Sequence, residues 1–243
     1  VPPRFFAPTL DLAHATVTLP ASESLHLARV LRLEPGAAVE LFDGRGTMVQ
    51  GSVLHATPSS SVVAVGDVCT AQPEAPWPIV LCTPLLKGDA MDVVVRDATV
   101  LGATQVVPVT TARTNVPVKR TDSGKMHERW QRVAVAAAKQ CGRASLPDLT
   151  EVRSLRDVLH APPWQVWQRL MLVEPALAVR AAGVLRQAPL VLVFGPEGGW
   201  DAEEARAACE AGWTPWSLGP FTLRAEQVTL AALTVVRHEW ART

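Results

Sequence analysis

Three short stretches pair glycine or proline with apolar residues in a way that suits ligand binding by backbone. They are Val173-Glu174-Pro175, Gly195-Pro196-Glu197-Gly198-Gly199, and the run LGPFTLR from Leu218 through Gly219 and Leu223 to Arg224. Each offers amides and carbonyls more than reactive side chains. Such a surface fits an adenine ring and a ribose better than a triphosphate, which calls for a lysine beside a glycine-rich phosphate loop. Neither that lysine pattern nor GxGxxG occurs. GPEGG itself admits two readings: a tight strand-to-helix connection, or a bare backbone facing a ligand. The six histidines stand apart with no HxxxH or HxxE spacing, which argues against a metal site.

A second chemistry is electrostatic. Eight lysines and arginines between Arg113 and Arg143 face only Asp122 and Glu128; they include Lys119, Arg129 and Lys139. They could track phosphates, or form the solvated face of a helix and its loop. Arg4, Arg29 and Arg32 make a second basic group. The formal net charge is zero, so any case for nucleic acid rests on these local patches.

The elements that must position these residues fall into two styles. AAVELFDGRGTMVQGSVLHAT is two alternating apolar runs around Asp43-Gly44-Arg45-Gly46, a hairpin signal, and SSSVVAVGDVC reads as a further strand. ESLHLARVLRL has a helical period that predicts Leu25, Val30 and Leu31 inward. The proline-rich TAQPEAPWP then separates a small β-rich module, residues 1–72, from a second domain, residues 73–243.

From Ile79 strands and helices alternate. IVLCT, TQVVPVT, RLMLVEP and LVLVF are predicted strands, with WSLG a short fifth. Helices are predicted over DAMDVVVRDATVLG, capped by Asp89, and over GKMHERWQRVAVAAAKQCG and ALAVRAAGVLRQ. Two more follow: one opened by the capping pattern Asp201-Ala-Glu-Glu204, and the C-terminal EQVTLAALTVVRHEW. This alternation predicts an open, mainly parallel α/β sheet covered by helices, with ligands outside the carboxyl ends of its strands.

Composition adds limits. Nearly half the 243 residues are hydrophobic, as in an ordinary globular protein. Four scattered cysteines form no CxxC pair and predict reduced thiols; Cys141 reads as a buried small hydrophobe. No apolar run is long enough to span a bilayer, and VPPRFF lacks the features of a secretion signal. The expected location is the cytoplasm, with no membrane partner.

The ordered set RFF (Arg4–Phe6), HLARVLRLEPGAAVELFDGRG, LLKGDAMD, LGA, TARTNV, KQCGRASLP and FGPEGGW…E…G…LGPFTLRAE resembles the RsmE-type 16S ribosomal RNA uridine-N3 methyltransferases. These are a branch of the knotted SPOUT methyltransferases, and the resemblance covers nearly the whole chain. It implies a PUA-like β-barrel RNA-binding module, then a SPOUT α/β domain with a deep trefoil knot. S-adenosylmethionine would be the methyl donor, a homodimer the assembly, and 16S ribosomal RNA or the small ribosomal subunit the partner.

By that resemblance the knot loops form the donor pocket from Val173, Glu174, Gly195, Pro196, Glu197, Gly198, Gly199, Leu218, Gly219 and Leu223. Methylating uracil N3 requires removing an imide proton and placing the nitrogen in line with the donated methyl. Positioning and charge stabilisation should dominate. Arg224 is the expected fork for the flanking carbonyl oxygens, with Glu226 or Glu197 accepting the proton or orienting the arginine. Glu226 is equally readable as a helix N-terminal charge. Expected RNA contacts are Arg4, Arg29, Arg32, Lys87, Arg113, Lys119, Arg129 and Arg143.

The chain departs from the family in two places. Asp97 and Val100 stand where members carry a lysine and a glutamate, and Ala225 and Gln227 replace two threonines in the signature LRTET. Lost hydroxyls open an alternative from another class, a non-catalytic RNA-binding or ribosome-associated protein on the same fold. Retention of GPEGG together with LR favours the enzyme.

Overall fold

The computed structural model describes residues 2–114, 116, 123–175 and 185–241. The chain forms two compact units, Val1–Glu74 with Val135–Leu146, and Ala75–Ala134 with Pro147–Thr243. Val135–Leu146 groups with the first unit because Ala138 and Ala144 pack beside Phe42 and Met48 in a small apolar cluster.

The first unit is a five-stranded sheet: β1 (Arg4–Phe6), β2 (Thr16–Thr18), β3 (Ala38–Phe42), β4 (Met48–His55) and β5 (Val62–Val68), in the order β1-β3-β4-β5-β2. β1 runs parallel to β3, and the other pairs are antiparallel. The predicted hairpin joins β3 to β4. Asp43 closes its turn by accepting hydrogen bonds from the amides of Arg45 (2.7 Å) and Thr47 (3.0 Å). Alternate residues Val39, Leu41, Val49, Val53 and Val63 face a core that also holds Phe5 and Leu27.

The helix of this unit corrects the sequence expectation. α1 (Ala21–Leu25) runs directly into a π-helical turn, His26–Val30, and Arg32 follows in the left-handed region at φ 52°. The wider turn rotates the side chains off the 3.6-residue period. Leu25, Val30 and Leu31 are therefore exposed, while Glu23, Ser24 and Leu27 are buried.

The second unit is a parallel sheet: β6 (Ile79–Pro84), β7 (Gln105–Thr110), β8 (Asp148–Leu149), β9 (Arg153–Ser154), β10 (Gln168–Leu172), β11 (Leu190–Phe194) and β12 (Thr214–Trp216). Their order is β12-β10-β11-β6-β7-β8, with β9 also on β7. β6 and β11 are buried along their whole length, as strands covered on both faces must be. Among the described residues its helices are α2 (Ala90–Val100), the part of α3 (Ser123–Cys141) up to Ala134, α4 (Leu155–Leu159), α5 (Ala202–Glu210) and α6 (Ala225–Ala241).

Three details differ from expectation. The last strand is Thr214–Trp216, so most of WSLG lies in the loop beyond it. Asp89 precedes α2 without a side-chain cap and pairs with Arg129 instead. Cys141 is only partly buried, whereas Cys82 is wholly enclosed and burial pushes its thiol far up. Most of the helix expected over ALAVRAAGVLRQ lies outside the described residues.

Candidate functional site

A cleft opens in the second unit where β10, β11 and β12 end at their carboxyl side. The three stretches singled out by residue type meet there. Val173, Glu174 and Pro175 leave β10, Gly195 to Trp200 leave β11, and Ser217, Leu218 and Phe221 to Leu223 follow β12. Leu172, Phe194 and Val228 give the cleft an apolar floor, and its empty space is about 920 Å³ including the open mouth. Among the described residues its charged lining residues are Glu174, Glu197 and Arg113.

The loop after β11 is held from several sides. The Gly199 amide donates to the Pro196 carbonyl (2.9 Å), making a turn that leaves Gly199 at φ 69°. Trp200 donates from its indole nitrogen to the Leu172 carbonyl (2.7 Å), tying the loop to the end of β10. The same ring occupies the space where a Cβ on Gly195 would sit, 3.1 Å away. Asp201 and Glu204 then form the expected capping box of α5.

Arg113 comes from the loop after β7. Its guanidinium donates to the Gly198 carbonyl (2.6 Å) and lies 3.8 Å from the Asp201 carboxylate. The sequence assigned Arg113 to RNA, yet its side chain belongs to the wall of this cleft. Trp200, Phe194, Ser217 and Val228 were not among the expected site residues, although Phe194 and Trp200 flank GPEGG in the signature FGPEGGW. Trp200 was legible only as the residue next to GPEGG, and Val228 only as an apolar position of a helix.

Gly219, Arg224 and Glu226 do not line the cleft, although Leu223 and Ala225 on either side of Arg224 do. Arg224 is exposed and Glu226 half-buried at the start of α6. The Gln227 side-chain oxygen accepts a hydrogen bond from the Arg224 amide (3.1 Å) and Ala225 is buried, so Gln227 supplies a cap at this end of the helix. Asp97 is mostly buried and accepts from the Arg96 guanidinium at 2.8 Å.

The expected RNA-contacting residues separate into two groups. Arg143 is buried against Glu74 (2.8 Å), Arg4 is bound to Glu40 (2.7 Å), and Arg129 is held by Asp92 and Asp89. Arg143 and Arg4 are thus paired in buried or half-buried positions and Arg129 at an exposed one, so each already has a carboxylate partner. Arg29, Arg32 and Lys87 are exposed. Lys119 lies outside the described residues. Among the described residues no group of three His, Cys, Asp or Glu is placed to hold a metal, and no helix is long and apolar enough to cross a membrane.

Comparison with known proteins gives this geometry a context. A family model described as an RNA methyltransferase domain matches residues 73–237, and one described as an RNA methyltransferase PUA domain matches residues 19–65. The chain is 31% identical over 227 residues to ribosomal RNA small subunit methyltransferase E of Synechocystis, covering 92% of this chain and 73% of that protein. It is 30% identical to the same enzyme of Mycobacterium tuberculosis, covering 97% and 92%. Among solved structures, ribosomal RNA small subunit methyltransferase E of Neisseria gonorrhoeae, bound to S-adenosyl methionine, superposes with a TM-score of 0.89 at 28% identity, covering 99% and 98%. A putative methyltransferase of Legionella pneumophila in complex with bound SAM gives 0.90 at 26%, covering 98% of both chains.

Proposed function

The chain belongs to the RNA methyltransferase family with a PUA domain, and from that premise we propose that it transfers a methyl group from S-adenosylmethionine to N3 of a uridine in small-subunit ribosomal RNA. The observation that carries the reading is the cleft where three strand-end loops converge with backbone, apolar side chains and two carboxylates. S-adenosylmethionine fits such a lining. Its adenine and ribose suit Leu172, Phe194 and Leu218, and its cationic sulfonium and ammonium suit Glu174 and Glu197, with Arg113 already engaged at Gly198 and Asp201. When bound, the donor supplies an electrophilic methyl on sulfur.

The residues of the chain then have positional tasks. The uracil imide loses its proton, and the resulting charge spreads onto two flanking carbonyl oxygens that an arginine fork matches. Arg224, next in sequence to cleft-lining Leu223 and Ala225, is the arginine assigned to those oxygens, a role its exposed position supports. Glu197, on the cleft wall, accepts the proton, and Glu226 orients the arginine. Backbone placement of the donor and a fixed base together reduce the reaction to an in-line transfer.

RNA is engaged through the exposed cations Arg29, Arg32 and Lys87, with Lys119 completing the set. A homodimer is part of the same proposal, supported by exposed Val100 on α2 and exposed Leu230 and Val235 on α6. So is the trefoil knot, supported by the position of β10 between β11 and β12. The cap that Gln227 supplies stands in for one of the two lost hydroxyls and supports the enzyme over a non-catalytic RNA binder.

Calorimetric titration with S-adenosylmethionine, followed by base analysis of methylated small subunits, tests the reading. Binding and 3-methyluridine are the expected results; absence of binding, or methyl found on another atom, overturns it. Arg224→Ala should lower turnover about a hundredfold while leaving donor Kd unchanged, as loss of a charge-stabilising donor does.

A further inference from the structure

Glu204 does two things with two oxygens. Oε2 accepts from the Asp201 amide (3.2 Å), which is its part in the capping box, and Oε1 accepts from the Ala112 amide (2.7 Å) in the loop after β7. A cap needs only the first bond. The second reaches across 92 residues of sequence to a loop that is itself pre-shaped: Thr114 Oγ1 accepts from the Thr111 amide (2.8 Å), and the Thr114 amide donates to the Thr111 carbonyl (3.1 Å). The neighbour of Ala112 is Arg113, whose guanidinium holds the Gly198 carbonyl at 2.6 Å and whose stem lies 3.4 Å from the place of a Gly198 Cβ.

We propose that Glu204 is a positioning residue that latches the loop Thr111–Thr114 to the GPEGG loop, so that occupancy of the cleft and the placement of the chain leaving β7 are coupled. The proposal rests on the cleft being the methyl-donor site. Glu204 does not line the cleft and acts only through other groups: Ala112 carries Arg113, Arg113 carries Gly198, and Gly198 forms the wall.

Chemistry supplies the discriminating variant. Glutamine has one acceptor oxygen where glutamate has two, so Glu204→Gln does not fix which amide is released. Glu204→Ala releases Ala112 outright, while the Asp201 carboxylate still accepts from the Glu203 amide (3.0 Å) and keeps α5 capped. Amide hydrogen exchange on the full chain reads the latch without any donor: exchange in residues 110–114 should quicken about tenfold in E204A, while residues 205–210 stay as protected as in the wild type. With saturating S-adenosylmethionine, added protection should spread to residues 110–114 in the wild type and stop at residues 195–200 in E204A. Donor Kd should rise about tenfold.

Unchanged exchange at 110–114 in E204A would overturn the latch. Faster exchange there, in a protein whose wild type fails to bind the donor, would uphold the latch and sink the donor reading instead. Arg113→Met gives a second variant, keeping the stem against Gly198 and removing the bond to its carbonyl. It should abolish the donor-induced protection of 110–114, and retained protection would equally overturn the coupling.

Discussion

Two glycine-bearing turns in this protein look alike in sequence and differ in what their bare backbone faces. In the first unit, Asp43-Gly44-Arg45-Gly46 closes a hairpin, and the space a Cβ on Gly44 would take is already filled by the Phe6 ring at 2.9 Å and Leu146 at 3.2 Å. In the second, Gly195 to Gly199 are backed on one side by Trp200 and Arg113 and open on the other to the cleft. Both turns are anchored by carboxylates, Asp43 in one and Asp201 with Glu204 in the other. Glycine content therefore does not make a binding loop. A turn packed over by its own neighbours is structural, and a turn packed from behind alone can bind.

The sharpest way to break this contrast is Gly44→Ala. Gly44 sits at φ 79°, so a side chain meets both backbone strain and the Phe6 ring, for an expected stability loss of about 2–3 kcal/mol. Chemical denaturation measures the loss, and donor Kd should not change; a weakened donor would show that the hairpin turn also serves the site.

Next in size is Asp43→Asn. Burial works to raise the Asp43 carboxyl, but hydrogen bonds from the Arg45 and Thr47 amides outweigh it and hold the group below the ordinary carboxylate range. The folded value lies below the unfolded one, so the stabilisation is present above about pH 4 and is lost as pH falls through the depressed value. The substitution should cost about 1–2 kcal/mol near neutrality, and the difference from wild type should vanish in acid. A difference that persists at pH 2 would place the effect in packing instead of charge.

The smallest expected effect is at Gly199, where φ is 69° and a Cβ would meet the Glu174 carboxylate at an ordinary 3.5 Å. Gly199→Ala should cost about 1 kcal/mol of loop strain, seen as a roughly fivefold rise in donor Kd with little change in melting temperature. Melting that falls as far as in Gly44→Ala would erase the distinction between the two turns.

Much of the fold was legible because its signals are long. β6 and β11 are unbroken apolar runs, α3 and α6 keep a helical period for several turns, and the Asp201-to-Glu204 pattern specifies a cap that forms as written. The failures are short or electrostatic. β1, β2, β8 and β9 span two or three residues each, too few to show a period. A single π-helical turn reversed the inward set of ESLHLARVLRL. The ion pairs of Arg143 and Arg129 were not legible because the carboxylates that bind them, Glu74 and Asp92, lie 69 and 37 residues away in sequence.

By itself the sequence determined the longer elements, the parallel character of the larger sheet and the three strand ends that carry the site, since all follow from local period and turn chemistry. Tertiary structure alone decided which polar groups remain available. It placed Arg113 on Gly198, Glu204 on Ala112 and Trp200 on the Leu172 carbonyl. Those choices depend on which distant segments the sheet order brings within about 3 Å, the range over which a hydrogen bond acts, and one-dimensional spacing does not encode that distance.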